Sequence, residues 1–398
     1  MSAVTTTSAG VVSDLVRRFR SNLQTYALIV ALMIIWGIFF ARTEGSFLGP
    51  QNFSNLFRQM TVTAFLSVGM VLVIVTGNID LSVGKLAGFA SVVVAYFQAR
   101  VWNQVLPNQE LLTTIISVLV GLASGTLFGV LQGYIIAYLR VPAFIVTLGG
   151  MWFLNGAILI VTEGKTIPAN QPIISVIAQG YLPATVSWIL GVAIVVLLFY
   201  TMFSGRQKKR RYGFELGALY LDLLKTALFA LLVLGYVYMV NQYNGISIPV
   251  LLLALVAVVM AYVSNNTRFG RYAYAIGGNR EAARLSGVNI NNNIFMIFVL
   301  MGFLCGISGV VLASYVGYGT IAAGQGYELD AIASCILGGT SPLGGEGTVF
   351  GAMVGALIMA SLTNGLQLLN VPAAYQYLLK SIVLVMAVYL DVYIKRNR

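Results

Sequence analysis

Histidine is absent from all 398 residues, and Asp, Glu, Lys and Arg together make up only 9 % of them. The first absence removes imidazole acid–base chemistry and the commonest metal ligand together. The second removes the soluble class, because a soluble chain carries roughly a quarter of charged residues. Cysteine occurs twice, as Cys305 and Cys335, each inside an apolar stretch. Thirty residues apart, they offer neither a disulfide framework nor a metal site and read as small core residues. The full phosphate-loop pattern is missing as well. The Gly164–Thr166 triplet has Leu159 where the pattern needs its first glycine, so no ATP site of that kind is expected. Alternating segments of about ten residues, the mark of a membrane barrel, are also lacking.

What remains is apolar. Hydrophobic residues make up 59 % of the chain and the mean hydropathy is +0.88. A spanning helix needs about 20 predominantly apolar residues. Candidate spans fall at 25–41, 61–76, 82–100, 111–138, 143–162, 186–204, 226–242, 248–264, 291–314, 348–365 and 376–393. A shorter apolar piece at 328–340 is a half-helix, a tilted short span or a re-entrant element. The expected class is therefore all-α: a polytopic membrane protein with about 10–12 transmembrane helices. It divides into an N-terminal tail at 1–24 and a single transmembrane domain at 25–398. The tail is polar and then basic, and no small-residue cleavage site follows the first apolar run, which reads as an uncleaved span.

Charge placement sets an expected orientation. With the N-terminus in the cytoplasm and twelve crossings, the cytoplasmic side receives Arg17, Arg18, Arg20, Arg140, the basic run at 206–211, Lys225, Arg268, Arg271, Arg280, Arg284 and the Lys395–Arg398 tail. Only Arg42, Arg58, Arg100 and Lys165 fall outside. Both termini come out cytoplasmic. The net charge of +11 follows this pattern of membrane-flanking positives, so lipid headgroups explain it and nucleic acid does not. The stretch 205–225 reads as a solvated basic loop followed by a short amphipathic segment resting on anionic lipid.

Three polar or glycine-rich interruptions stand out. GNIDLSVG (77–84) places Asp80 within or beside the membrane, where a carboxylate needs partners; Asp80 or Ser82 is expected to cap the following helix. A direct part for Asp80 in the translocation path stands beside that reading. LGGTSPLGGEGTVFG (337–351) carries Gly338, Gly339, Gly344, Gly345 and Glu346, and repeated glycine lets backbone leave helical geometry. It is expected to face the translocation path or a partner subunit, with an ordinary turn as the plain alternative. The third is GGNREAARLSG (277–287). Gly277 and Gly278 read as a turn, Asn279 as the cap of a short helix over Arg280, Glu281, Ala282, Ala283, Arg284, Leu285 and Ser286, and Gly287 as its stop.

EAARLSG (281–287) resembles the EAA…G core of the cytoplasmic loop in permease subunits of ABC importers, with Ile297 at the family's spacing. Val299 and Leu300 stand where that pattern closes on Leu-Pro. RFGRYAYAIGGNREAARLSGVNI, GNIDLSVG, VPAFIVTLGG (141–150) and ELDAIASCILGGTSPLGG (328–345) are together similar to the ribose/xylose branch of monosaccharide permeases. The resemblance covers nearly the whole chain. It is strongest to the xylose type, which shares the inserted span, basic loop and span at 186–242, together with YLPA (181–184) and the ending NVPAAYQYLLKSIVLVMAVYLD. Asn78, and Thr363 before Asn364–Gly365, depart from it.

The resemblance implies a multi-pass protein of the bacterial inner membrane that is not an enzyme and holds no cofactor. Its implied partners are a second copy of itself, a cytoplasmic ABC ATPase with two nucleotide-binding domains, and a periplasmic sugar-binding protein. The loop 265–290 becomes the ATPase-coupling loop. Asp80, Ser82, Asn364, Gly338, Gly339, Gly344, Gly345 and Glu346 become candidates for the path or its gate. Two rivals stand beside this reading. One is an ion- or proton-coupled secondary sugar carrier using Asp80, Lys85, Glu328, Asp330, Glu346 or Lys380; the other is a structural or receptor membrane protein.

Overall fold

The computed structural model describes residues 23–396, apart from Asn170 and Glu215. The tail with Arg17, Arg18 and Arg20 lies outside the described residues, as do Asn397 and Arg398. The helices run α1 (Leu23–Arg42), α2 (Pro50–Val75), α3 (Val83–Tyr96), α4 (Glu110–Ala137), α5 (Ala143–Thr162), α6 (Pro172–Gln179), α7 (Ala184–Arg211) and α8 (Leu219–Asn241). They continue as α9 (Ile248–Asn266), α10 (Arg268–Gly278), α11 (Arg280–Leu285), α12 (Ile290–Val316), α13 (Tyr327–Leu337), α14 (Val349–Leu368) and α15 (Ala373–Arg396). Eight of them are long and apolar enough to cross a membrane: α2, α4, α5, α7, α8, α9, α12 and α14. Parts of α1 and α15 form shorter apolar helices.

The centre is α2. Every residue from Ala64 to Thr76 is buried, as expected of a helix that is apolar all round. It packs against α12, α14, α13 and α9. The most extensive contact in the bundle is between α4 and α12, where Gly125 meets Gly302 and Gly306 and Gly129 meets Phe298 and Gly302. Small residues let two helices approach closely enough for van der Waals packing to hold them in an apolar solvent. By contrast, α7 and α8 pair chiefly with each other, and the hairpin touches α2 through Tyr236, Phe53 and Phe57.

The connections alternate between two ends. At one, the strands β1 (Ile167–Pro168) and β2 (Tyr318–Gly319) pair antiparallel, Tyr181 bridges Ser247, and Arg100 reaches Glu163 at 3.4 Å. At the other, Gly345 N–H donates to the Val75 carbonyl at 2.8 Å. Four helices close their first turn with a side-chain cap, from Thr267, Asn279, Asn289 and Thr348, and all four start at this second, capped end. Such caps satisfy N–H groups that a helix start otherwise leaves to water.

Three elements depart from the sequence expectation. The second span begins at Pro50 and not at 61, because Asn52, Gln59 and their neighbours find polar partners on α14. The basic run 206–211 does not lie in a loop; α7 continues through it to Arg211, where Lys and Arg keep helical propensity and suit the negative end of the helix dipole. Residues 219–225 form the start of α8, with no separate amphipathic segment, and Arg206 is ion-paired with Asp222 across the hairpin. The short piece at 328–340 resolves into a half-helix. After β2 the chain descends without helix, Gly319 against Val92 and Gly324 against Gly84 and Gly88. Helix α13 then has 11 residues, about 16 Å at 1.5 Å per residue, or half of a ~30 Å hydrocarbon core.

Candidate functional site

The capped end is built from α10 and α11. Thr267 Oγ1 accepts from Gly270 N–H and starts α10, whose Gly270, Ala273 and Ile276 face inward at helical spacing. Gly277 and Gly278, expected as a turn, are the last two helical residues of α10. The turn is made by Asn279, whose backbone is extended at φ −157° and whose side chain accepts from Ala282 N–H at 2.9 Å. Helix α11 ends on Gly287 at φ +81°. There Gly287 N–H bonds the Arg284 carbonyl and Val288 N–H the Ala283 carbonyl, which closes the last turn. Only Ala283 of this helix is buried; Arg280, Glu281, Ala282, Arg284 and Leu285 are exposed. Glu281 and Arg284 pair at 2.5 Å with both side chains about two-thirds exposed, a contact that contributes little to stability. A short helix, closed at both ends and 77 % exposed at Leu285, presents a rigid surface with one apolar contact point.

A junction of backbones fixes this handle to the bundle. A Cβ on Gly277 would lie 1.7 Å from the Val75 carbonyl oxygen and 2.6 Å from Gly345 N. No side chain fits there. Gly345 takes φ +78° and Gly344 φ +90°, left-handed conformations that glycine adopts without steric cost, and this turns Gly345 N–H onto Val75. Tyr274 of α10 donates its hydroxyl to the Gly347 carbonyl at 2.8 Å, and burial pushes its phenol pKa up, which keeps the donor proton in place. Gly338 lies against the Gly351 backbone, so the loop also ties the end of α13 to the start of α14. Gly339 N–H bonds the Ile336 carbonyl, and the Glu346 carbonyl accepts from Ser341 N–H at 2.9 Å. The Glu346 side chain is exposed.

Asp80 and Ser82 sit at the same end, next to Val75, in a separate buried cluster. Asp80 is 2 % exposed and accepts from Ser82 N–H at 2.8 Å and Ser82 Oγ at 2.7 Å. Ser82 Oγ also lies 3.1 Å from Gln132 Oε1 on α4. The expected cap therefore takes a modified form. Asp80 satisfies the N–H of the N-cap residue itself, and the Ser82 hydroxyl makes no cap bond to the helix. Asn364 belongs to neither cluster. It stands towards the strand end of α14, accepting from Asn52 Nδ2 at 2.8 Å, with Gln59 Nε2 donating to Gln367 Oε1 at 3.0 Å beside it.

The sequence candidates thus fall into three places: the Gly277–Gly278/Gly344–Gly345 junction with its exposed helix, the Asp80–Ser82 cluster, and the Asn364 amide group. Sequence reasoning missed Val75, Tyr274, Gln132 and Gln367. The one signal pointing towards them was the glycine repeat at 337–351, which lets backbones approach closely.

Comparison with known proteins gives this arrangement its family. A family described as "Branched-chain amino acid transport system / permease component" matches residues 52–388. The chain is 41 % identical to the xylose transport system permease protein of Haemophilus influenzae, over 93 % of this chain and 96 % of that one. It is equally 41 % identical to the xylose permease protein of Escherichia coli K12, over 94 % and 93 %. Identity to the ribose import permease protein of E. coli K12 is 32 %, over 91 % and 92 %. No solved structure matches the chain. These relatives are permease subunits and not enzymes, and a permease of this kind implies an ATPase and a periplasmic binding protein as partners. They give no support to an ion-coupled carrier. A polytopic all-α bundle with a short, capped, solvent-facing helix locked to its most buried span belongs with them: the chain is a member of the ABC-importer permease family, a multi-pass membrane subunit for sugar import.

Proposed function

We propose that two copies of this chain carry xylose from the periplasm to the cytoplasm of a bacterial inner membrane, driven by ATP hydrolysed on a partner. The capped end faces the cytoplasm, and both termini lie on that side. The ATPase docks on α11, with Arg280, Glu281, Ala282, Arg284 and Leu285 as its contact surface. Closure of the ATPase pushes α11 and α10, and the Gly277–Val75–Gly345 junction passes the push to α2, α13 and α14 together. The strand end, with β1, α6 and the loop 163–183, receives the binding protein. Asp80 and Ser82 hold the turn after α2 in one shape, so that displacement at Val75 moves the helix and does not unwind it.

The observation that carries this reading is the exposed, doubly capped α11, joined to α10, whose last turn meets the bundle backbone on backbone at Gly277. A packed core gains nothing from such a helix. The similarity to xylose permeases supports the choice of sugar. Uptake of labelled D-xylose and D-ribose into cells expressing the chain with its ATPase and binding protein tests it. Xylose uptake is expected to survive collapse of the proton gradient and to stop on ATP depletion. Uptake that stops with the gradient while ATP is intact would replace this reading with a secondary carrier.

A further inference from the structure

A cavity of about 580 Å³ lies between α2, α13, α14 and α15, within the 300–1,000 Å³ range of small-molecule sites. Four carboxamides line it: Gln59, Gln325, Gln367 and Gln376. One wall carries Asp330 and Lys380, whose Nζ stands 2.9 and 3.1 Å from the two carboxylate oxygens; both side chains are nearly buried, at 17 % and 16 % exposure. The floor is the break between the non-helical segment 320–326 and the first turn of α13, where Gln325, Gly326 and Tyr327 face the space.

Apolar side chains such as Val62, Leu329, Met359 and Leu384 also line the space, but lipid does not suit its polar wall. Non-helical backbone at membrane depth is tolerated only where protein encloses it or water fills the space beside it, and ionisable side chains there face a bundle interior or an aqueous cavity. The chemistry also selects among polar occupants. Asp330 and Lys380 are the charged residues of the lining and pair with each other, which leaves the walls without net charge for an ion. Carboxamides donate and accept in pairs, and a carboxylate already held by lysine still accepts from hydroxyls. That set matches a neutral polyhydroxyl compound.

We propose that this cavity is a membrane-embedded subsite for a monosaccharide in transit, with Gln59, Gln367, Gln376 and Asp330 exchanging hydrogen bonds with sugar hydroxyls. The inference rests on the sugar-import reading above and adds the place where the cargo pauses. It also gives Lys380 and Asp330 a role: their pair holds α15 as the wall of the site.

Thr363 lines the cavity and Cys305 and Cys335 are fully buried, so a Thr363→Cys chain in lipid nanodiscs offers one reactive thiol to a small thiosulfonate reagent. D-xylose should slow its labelling saturably, about threefold when the sugar is at twice its dissociation constant. Betaine at equal osmolality should not, and Leu343→Cys, 90 % exposed at the other end, should label at one rate throughout. Adding Gln376→Leu should raise the half-protecting xylose concentration about tenfold, the effect of one lost hydrogen bond. If Gln376→Leu unfolds the protein, Gln367→Leu serves in its place. Labelling of Thr363→Cys indifferent to xylose overturns the subsite, and cells that still take up xylose under ATP would show that only the subsite, and not the importer, has failed.

Discussion

The two ends of α2 are fastened by different means. At the capped end the joint is backbone on backbone: Gly277 lies against the Val75 carbonyl, and Gly345 N–H is bonded to it at 2.8 Å. At the strand end, α2 and α14 meet through amide side chains, Asn52 to Asn364 at 2.8 Å and Gln59 to Gln367 at 3.0 Å. A backbone joint cannot change partners without moving a helix. An amide can rotate and trade its partner for water or a passing hydroxyl. On the proposed reading, the stiff joint stands where force is to enter and the adjustable one where polar cargo is to pass.

The largest expected effect breaks the stiff joint. Gly277→Val has no room at 1.7 Å from a carbonyl oxygen; overpacking of this kind costs about 1–3 kcal/mol or more, and uptake should be lost. Gly278→Ala, one residue on and with no atom within 4 Å, should stay within about 0.5 kcal/mol of the parent. Thermal unfolding in detergent beside xylose uptake separates them. Equal behaviour would show that the joint carries nothing.

The adjustable joint should respond less. Asn364→Leu leaves Asn52 still bonded to the Phe47 carbonyl at 2.8 Å, so about 1–2 kcal/mol of stability is expected to go, measured as a lowered denaturation midpoint. A loss as large as that of Gly277→Val would erase the contrast between the ends. Asp80 gives a graded test at the capped end. Asp80→Asn keeps an acceptor for the Ser82 N–H and should cost little, whereas Asp80→Ala removes it and should cost about 0.5–2 kcal/mol. If Asp80→Asn alone stops uptake in a folded protein, the charge itself is needed and the turn reading of Asp80 fails. The smallest effect belongs to Glu281→Ala. Its exposed pair with Arg284 is worth about 0.2–1 kcal/mol at most, so the denaturation midpoint should barely move.

Most of the spans were legible because apolar runs of membrane length are a local property of the chain; 143–162 coincides with α5. The cassette was legible for a similar reason. Asn279 carries the chemistry of a helix start in its side chain and Gly287 that of a stop in its lack of one, and the structure uses both. What the sequence hid is tertiary. Val75 is one apolar residue among many, and nothing local says that its carbonyl meets Gly277. The doubled glycines at 344–345 allowed a close approach without naming a partner, and those at 277–278 read only as a turn. The descent at 320–326 was hidden because it lies between apolar runs and carries no periodic signal, whereas packing against Gly84 and Gly88 draws it inward. The amides of α2 looked like loop residues until their partners on α14 were in place.

The central claim, that α11 is where ATPase work enters the bundle, has a direct measurement. Leu285→Asp changes an exposed side chain and leaves every joint intact, so the permease should fold, insert and bind its sugar as before. In proteoliposomes holding the variant with its ATPase and binding protein, xylose transported per ATP hydrolysed is the quantity to read. A drop of about tenfold or more, the loss of roughly 1.4 kcal/mol of coupling, with an unchanged denaturation midpoint, is the expected result. An unchanged ratio in the Leu285→Asp protein, and again in Glu281→Lys, would contradict the account.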